Sequence, residues 1–347
     1  MKLPNDEIFW SWARYFLEEY LPLQRGVSSH TIATYRTAFR QFKQFLDEQL
    51  GQSESRGFKL SSTQTEILLD FLAWLTQPKP RGLGVSATTR NLRLAALRSF
   101  FRFLELYSAG DDNQWRRFRQ LPTKREVRKT ADYLEPCEIE LLFKVIPADS
   151  ADGFRDLTLL AFLYNTGARA SEAAGLRTAD LHLSGPSPTA RFLAKGQVVR
   201  QVPLWGTTAE LLARYMTEFR RRPLLKAKAF VFINQRGGHL TRWGVGRRLS
   251  YYLAEAAKSS RTLRAKKLST HSIRHTTAIH LIESGVDVHV VKTWLGHRSI
   301  SSTDHYLEMD LEPQRDLLAS FTPPSILNRH LKSEPTDECI KDWLDEL

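Results

Sequence analysis

Apolar residues that recur every three or four positions dominate this chain, and that period restricts it to a mainly helical fold. Ile8, Phe9, Trp12, Ala13, Phe16, Leu17 and Tyr20 make the first stripe, with Asn5 as its cap and Pro22 as its expected end. A second stripe after Ser28 or Ser29 comprises Ile32, Tyr35, Phe39, Phe42 and Leu46, and Gly51 follows it. Past a Gly/Ser-rich loop at 51–57, a third carries Leu68, Phe71, Leu72 and Leu75 and is stopped by Pro78 and Pro80. The fourth begins at Ser86 and runs through Leu92, Ala96, Phe100, Phe103 and Tyr107. Four amphipathic helices of this kind can close into a small bundle.

With 347 residues the chain exceeds what one core usually holds, so two domains are expected. The polar, basic, proline-broken stretch at 121–132 reads as an interdomain linker, separating a helical bundle at 1–120 from a second domain at 133–330. That second domain predicts helices at 136–146, 154–165, 170–175, 243–258, 271–284, 287–295 and 302–306. Strands at 190–194 and 198–204 flank Lys195-Gly196-Gln197 as a hairpin, and a third short strand is expected at 229–233. The resulting class is mainly α, a helical bundle followed by a mostly helical domain with a small antiparallel sheet. In the acidic terminal segment 331–347, Thr336 can cap a helix with Ile340, Trp343, Leu344 and Leu347 on one face. Such a stripe needs a partner surface, either its own domain or a neighbouring subunit.

The formal charge of +12 points to a polyanionic partner, most economically nucleic acid. The terminal segment is net negative, so residues 1–330 are more basic still, at +16. Two cysteines far apart, Cys137 and Cys339, provide neither a disulfide framework nor a Cys-based zinc motif, and suit a reducing cytosol. The first residues lack the apolar core of a signal peptide, and no apolar run is long enough to cross a bilayer. A cytoplasmic, nucleoid-associated protein is the expectation.

Several residues stand out chemically. His271 and Arg274 lie three apart near the start of a helix, where unpaired N–H groups and the dipole already favour an anion. His275 makes an i, i+4 pair with His271, but Arg274 between them and the missing carboxylate or cysteine ligands argue against a metal. Taken singly, each other candidate has a plain explanation. Arg169 can pair with Glu172, Lys195 can be a solvated hairpin residue, His297 a helix cap, and Tyr306 a core residue. Arg90, Arg98 and Arg102 could grip DNA phosphates or merely solvate a helix exterior. The same two readings are open for Thr241, Arg242, Arg247 and Arg248 at the start of a later helix.

The blocks Thr166-Gly-Ala-Arg-Ala-Ser-Glu172, Ala194-Lys-Gly196 leading to Arg200-Gln-Val-Pro-Leu204, His271-Ser-Ile-Arg-His-Thr276 and Leu295-Gly-His297, with Tyr306 nine residues on, resemble the tyrosine site-specific recombinases, the phage-type integrases and their relatives. All five fall in the family's order. The resemblance is strong from Tyr133 to Leu307 and weaker before it, where 29–46 and 86–104 are similar to the family's core-binding domain.

This resemblance implies a site-specific recombinase that cleaves and rejoins duplex DNA through a 3′-phosphotyrosyl link, in integration, transposition or resolution. Tyr306 is implied as nucleophile, Arg169 and Arg274 as clamps on the non-bridging phosphate oxygens, and Lys195 as general acid for the leaving 5′-oxygen. His271 would move a proton near the tyrosine, His297 would hydrogen-bond the phosphate, and Glu172 would support the site. Neither metal, ATP nor another cofactor is implied. The expected partners are double-stranded DNA and further subunits, four on two paired sites, with a second recombinase or accessory protein as an additional partner; a membrane is not among them. Two rival readings stand beside it: a type IB topoisomerase-like enzyme that relaxes strands, and a catalytically idle DNA-binding accessory. The second predicts loss of Tyr306 or an arginine, and neither is lost.

Overall fold

The expected helical stripes form, the second and fourth behind serine caps. In the computed structural model, residues 3–4, 6–78, 84–108, 112–125, 132–185, 187–193, 199–296 and 321–331 are described, and their contacts divide the chain into the units Met1–Lys129 and Thr130–Leu347. Mostly helical structure with one small antiparallel sheet is the observed class.

In the first unit the helices are α1 (Phe9–Tyr15), α2 (Ser29–Leu50), α3 (Gln52–Arg56), α4 (Thr65–Trp74), α5 (Ala87–Tyr107) and α6 (Asp112–Gln120). The hydroxyl of Ser28 accepts from the Thr31 N–H and that of Ser86 from the Thr89 N–H, so α2 and α5 start where serine capping predicts. Their inner faces meet in an aromatic core. Phe100 of α5 packs on Phe9 at 5.1 Å, on Phe16 at 5.4 Å and edge-on to Phe39 at 5.2 Å.

Two expectations for this unit need correction. Pro22 does not end the first helix; the chain runs through it as the π-helical segment Phe16–Gln24, whose wider turn accommodates a residue with no N–H to donate. The expected loop at 51–57 contains the short helix α3, and α6, for which no stripe was expected, buries Trp115 and Phe118 against Phe101. The cap Asn5 and the stop Pro80 lie outside the described residues.

The second unit is built around α8 (Ala151–Thr166), which is buried from Gly153 to Thr166, its polar residues Arg155, Asp156, Thr158 and Asn165 included. Around it stand α7 (Pro136–Lys144), α9 (Ala170–Ala174), α10 (Gly206–Arg214), α11 (Arg242–Ala257), α12 (Arg261–Ala265), α13 (Thr270–Glu283), α14 (Val288–Leu295) and α15 (Ser325–Leu331). Thr277 of α13 donates its hydroxyl to the Tyr164 carbonyl at 2.7 Å, which ties α13 along α8.

Strands β1 (Leu181–His182), β2 (Thr189–Leu193) and β3 (Val199–Pro203) pair antiparallel in that order, and β2 meets β3 with Phe192 opposite Arg200. The expected hairpin is thus present, although its turn lies outside the described residues. The expected strand at 229–233 forms only two isolated bridges, Arg177 to Phe230 and Ile233 to His239. A tight turn through Gly237, at φ +76°, reverses the chain too soon for a ladder. The third strand of the sheet is β1 instead. The expected helices at 302–306 and 336–347 lie outside the described residues.

Candidate active site

Helix α8 ends where Gly167 turns left-handed, at φ +59°. A Cβ at this position would lie 2.4 Å from Leu295 Cδ2, so both conformation and space demand glycine. The turn is thereby pressed against the end of α14. Two residues later Arg169 opens α9, and Glu172 holds it twice. The carboxylate accepts from the Arg169 backbone N–H at 2.8 Å and from its Nη1 at 2.7 Å. The Arg169 side chain stays 46% exposed.

Arg274 reaches the same turn from α13. Its Nη1 donates to the Gly167 carbonyl at 2.6 Å and its Nη2 to the Leu295 carbonyl, so one guanidinium joins the α8–α9 turn to the end of α14. Burial first, then the nearby charges of Arg169 and Arg200, push its pKa down to about 10, which leaves it a cation at neutral pH. His271 lies one turn earlier on α13 and is exposed. Partial desolvation, with Arg274, His275 and Arg169, holds its imidazole below the ordinary range, so the neutral form is favoured.

Arg200, quoted above only as part of a sequence block, joins this group. Its Nη2 donates to Glu172 at 2.9 Å, and its guanidinium carbon sits 4.6 Å from the centre of the Phe192 ring. Burial would raise the pKa of Glu172, but Arg200 and the donors of Arg169 outweigh it and hold the carboxyl below its usual range. Arg169, Glu172, His271 and Arg274 are therefore brought together. Lys195, His297 and Tyr306 lie outside the described residues, as does the stripe at Ile340, Trp343, Leu344 and Leu347. Among the described residues, no three His, Cys, Asp or Glu side chains are grouped so that they could hold a metal ion.

The expected DNA-facing residues separate into two sets. Arg102, Arg242 and Arg247 are exposed, and Arg242 stacks 4.8 Å from the ring centre of Trp243, itself 71% exposed. Thr241 instead caps α11, accepting from the Gly244 N–H at 3.1 Å. Arg98, expected on the outer face of α5, is half-buried and donates to the Leu121 carbonyl, while Arg248 turns toward the buried carboxylate of Asp156 at 3.7 Å. Arg90 is half-buried beside Asn91.

What such a cationic pocket serves is decided by kinship. Residues 132–312 match the model of the phage integrase family, and residues 15–106 match that of the phage integrase N-terminal SAM-like domain. The chain belongs to the phage integrase family. It is a tyrosine recombinase, an enzyme that cleaves and rejoins DNA. Relatives include a putative integrase/recombinase, y4rC, of Sinorhizobium fredii, 32% identical across 89% of this chain and 90% of its own length. The tyrosine recombinase XerC of Bacillus licheniformis is 33% identical across 88% of this chain and 94% of its own. These relatives support the recombinase reading over the topoisomerase-like and accessory ones.

The fold of the recombinase is similar to that of XerH site-specific recombinase bound to its difH substrate, with a TM-score of 0.62 at 22% identity over 94% of this chain and 84% of the other. It is also similar to the Tn1549 transposon integrase in complex with a circular intermediate DNA, with a TM-score of 0.65 at 15% identity over 95% and 98%. Among the described residues of the recombinase, no helix is long and apolar enough to cross a membrane.

Proposed function

We propose that the recombinase opens duplex DNA by attack of the Tyr306 oxygen on a scissile phosphodiester, forming a 3′-phosphotyrosyl link and releasing a 5′-hydroxyl. The observation that carries this reading is the meeting of Arg169 and Arg274 on one backbone turn, with Glu172 behind Arg169. Two permanently charged, planar guanidiniums suit a phosphate whose non-bridging oxygens gain charge during displacement. A phenol with a pKa near 10 is a weak nucleophile at neutral pH and needs cations and a base beside it. In this reading, neutral His271 takes the tyrosyl proton, Lys195 protonates the leaving 5′-oxygen and His297 hydrogen-bonds the phosphate. Attack by a 5′-hydroxyl on the phosphotyrosine reverses the step and seals the strand, so neither ATP nor a metal ion is required.

Residues 1–120 are read as the core-binding domain, 121–132 as the linker, 133–330 as the catalytic domain and 331–347 as a helix exchanged between subunits. Four subunits would act on paired sites in double-stranded DNA, in the cytoplasm at the nucleoid, with a second recombinase or accessory protein as an additional partner. The recombinase should form a covalent adduct with a nicked suicide duplex of its mapped binding site in EDTA, and Tyr306→Phe should form none. Equal adduct from Tyr306→Phe would remove the nucleophile assignment. Recombinant products from a two-site plasmid test strand exchange.

A further inference from the structure

Two arginines hold one carboxylate in this pocket. Arg169 holds Oε1 of Glu172 through its side chain and Oε2 through its backbone N–H, and Arg200 takes Oε2 from the side of the sheet. A carboxylate held by one flexible arginine can swing with it. Held also from a second element, it has one orientation.

The second element is β3. Arg200 stands opposite Phe192 in the β2–β3 register and lies over its ring, with its side chain only 9% exposed. On its other side it packs against Gly296, where a Cβ would come within 3.1 Å of Nη1 and 3.4 Å of Cδ. Its Nε and Nη1 are buried and have no hydrogen-bond partner among the described residues. A buried cation with unpaired donors is costly, and an apolar side chain would cover Phe192 without that cost. Packing alone therefore does not account for an arginine here. Nor does direct contact with substrate, because the exposed guanidinium is that of Arg169.

We propose that Arg200 is a positioning residue for strand cleavage. It pins Glu172 from the hairpin side, so that Glu172 holds the Arg169 guanidinium toward the scissile phosphate. The same contact joins α9 to the hairpin whose turn contains Lys195 in sequence. This inference rests on the reading of Arg169 as a phosphate clamp.

The test is a double-mutant cycle on single-turnover cleavage of the suicide duplex at saturating protein, with DNA binding measured separately. Arg200→Met should bind DNA as the wild type does and cleave about 100-fold more slowly, as expected for a displaced catalytic group. In an Arg169→Ala background, the same substitution should change the rate by no more than about twofold, because it acts through Arg169. Wild-type cleavage by Arg200→Met, with Arg169→Ala slow, overturns this inference alone. Losses that multiply in the double variant also overturn it, since they show Arg200 acting independently. Wild-type cleavage by Arg169→Ala overturns the phosphate assignment and this inference with it. Should circular dichroism show Arg200→Met unfolded, Arg200→Lys, which keeps the charge but lacks the two-pronged fork, runs the same cycle under the same criteria.

Discussion

Arg274 donates to the carbonyl of Gly167 at 2.6 Å, so an arginine of one helix fixes the turn from which a second arginine, Arg169, emerges. Its other arm holds the Leu295 carbonyl at the end of α14, immediately before Gly296 and His297 in sequence. The buried guanidinium thus acts as a three-way joint between α8–α9, α13 and α14. In the proposed reading its charge also serves a phosphate.

Replacing Arg274 by lysine tests both roles at once. One ammonium cannot span two carbonyls and a substrate oxygen in the geometry of a planar fork. Single-turnover cleavage should fall about 10²–10³-fold, the loss typical of removing one donor to a developing oxyanion. DNA binding, read by gel shift, should change far less. A near-wild-type cleavage rate would show that neither the fork nor its joint is needed.

Gly167→Ala should destabilise the second unit. The substitution puts a side chain at φ +59° and drives a methyl group into Leu295, where the separation would be 2.4 Å. Strain at such a residue costs about 1–3 kcal/mol before the overlap is relieved. The melting temperature should drop by roughly 5–10 °C for a unit of this size, as read by calorimetry. An unchanged melting temperature would mean that the turn relaxes freely.

Helices α2 and α5 were legible in the sequence because a capping serine and an unbroken 3.6-residue stripe agree there. Helix α6 was not, since in Asp112–Gln120 only Trp115 and Phe118 are apolar, and their partner Phe101 lies on another helix. The strand expected at 229–233 shows the opposite failure: a short apolar run fits a buried strand or a buried loop, and local sequence does not decide. At the site, the resemblance pointed to Arg169, Glu172, His271 and Arg274, which the structure brings together. It gave no role to Arg200, because an arginine in a strand reads as solvent-facing until Phe192 and Glu172 are folded around it. The partners of Arg98 and Arg248 were missed for a related reason. Helical position told which side of the helix they occupy, but not that a carbonyl or a buried carboxylate waits there.

His271 should set the acid limb of cleavage. Partial desolvation and the charges of Arg274, His275 and Arg169 hold its pKa below the ordinary value of 6.5 in the folded protein. Protonation therefore opposes folding. The contribution to stability is present above the unfolded pKa and is lost as pH falls through the folded one. For catalysis, the base form persists at neutral pH, so the cleavage rate should be flat around pH 7 and fall only below 6.5. His271→Gln should lower the plateau and remove that limb. An imidazole titration by NMR with its midpoint above 6.5 would contradict the assignment.

Asp156→Ala should be among the most destabilising single substitutions in the second unit. Asp156 lies inside α8, fully buried, and accepts from Arg155 Nη2 at 2.7 Å and Nε at 2.9 Å, while the Tyr252 hydroxyl of α11 donates to its other oxygen at 3.0 Å. Arg155 is itself buried, and its Nη1 is shared between Asp152 and the Ile233 carbonyl. Removing the carboxylate leaves a guanidinium in the core without its main counter-charge, a change that costs about 3–5 kcal/mol. Tyr252→Phe removes only one donor and should cost about 1–2 kcal/mol. Urea unfolding followed by fluorescence gives both values. Because α11 also carries the exposed Arg242 and Arg247, Asp156→Ala should loosen that helix and weaken DNA binding as well, whereas Tyr252→Phe should leave binding near the wild-type level. Equal, small losses of stability in the two variants would show that Arg155 finds another partner, and that the buried pair does not hold α11 on α8.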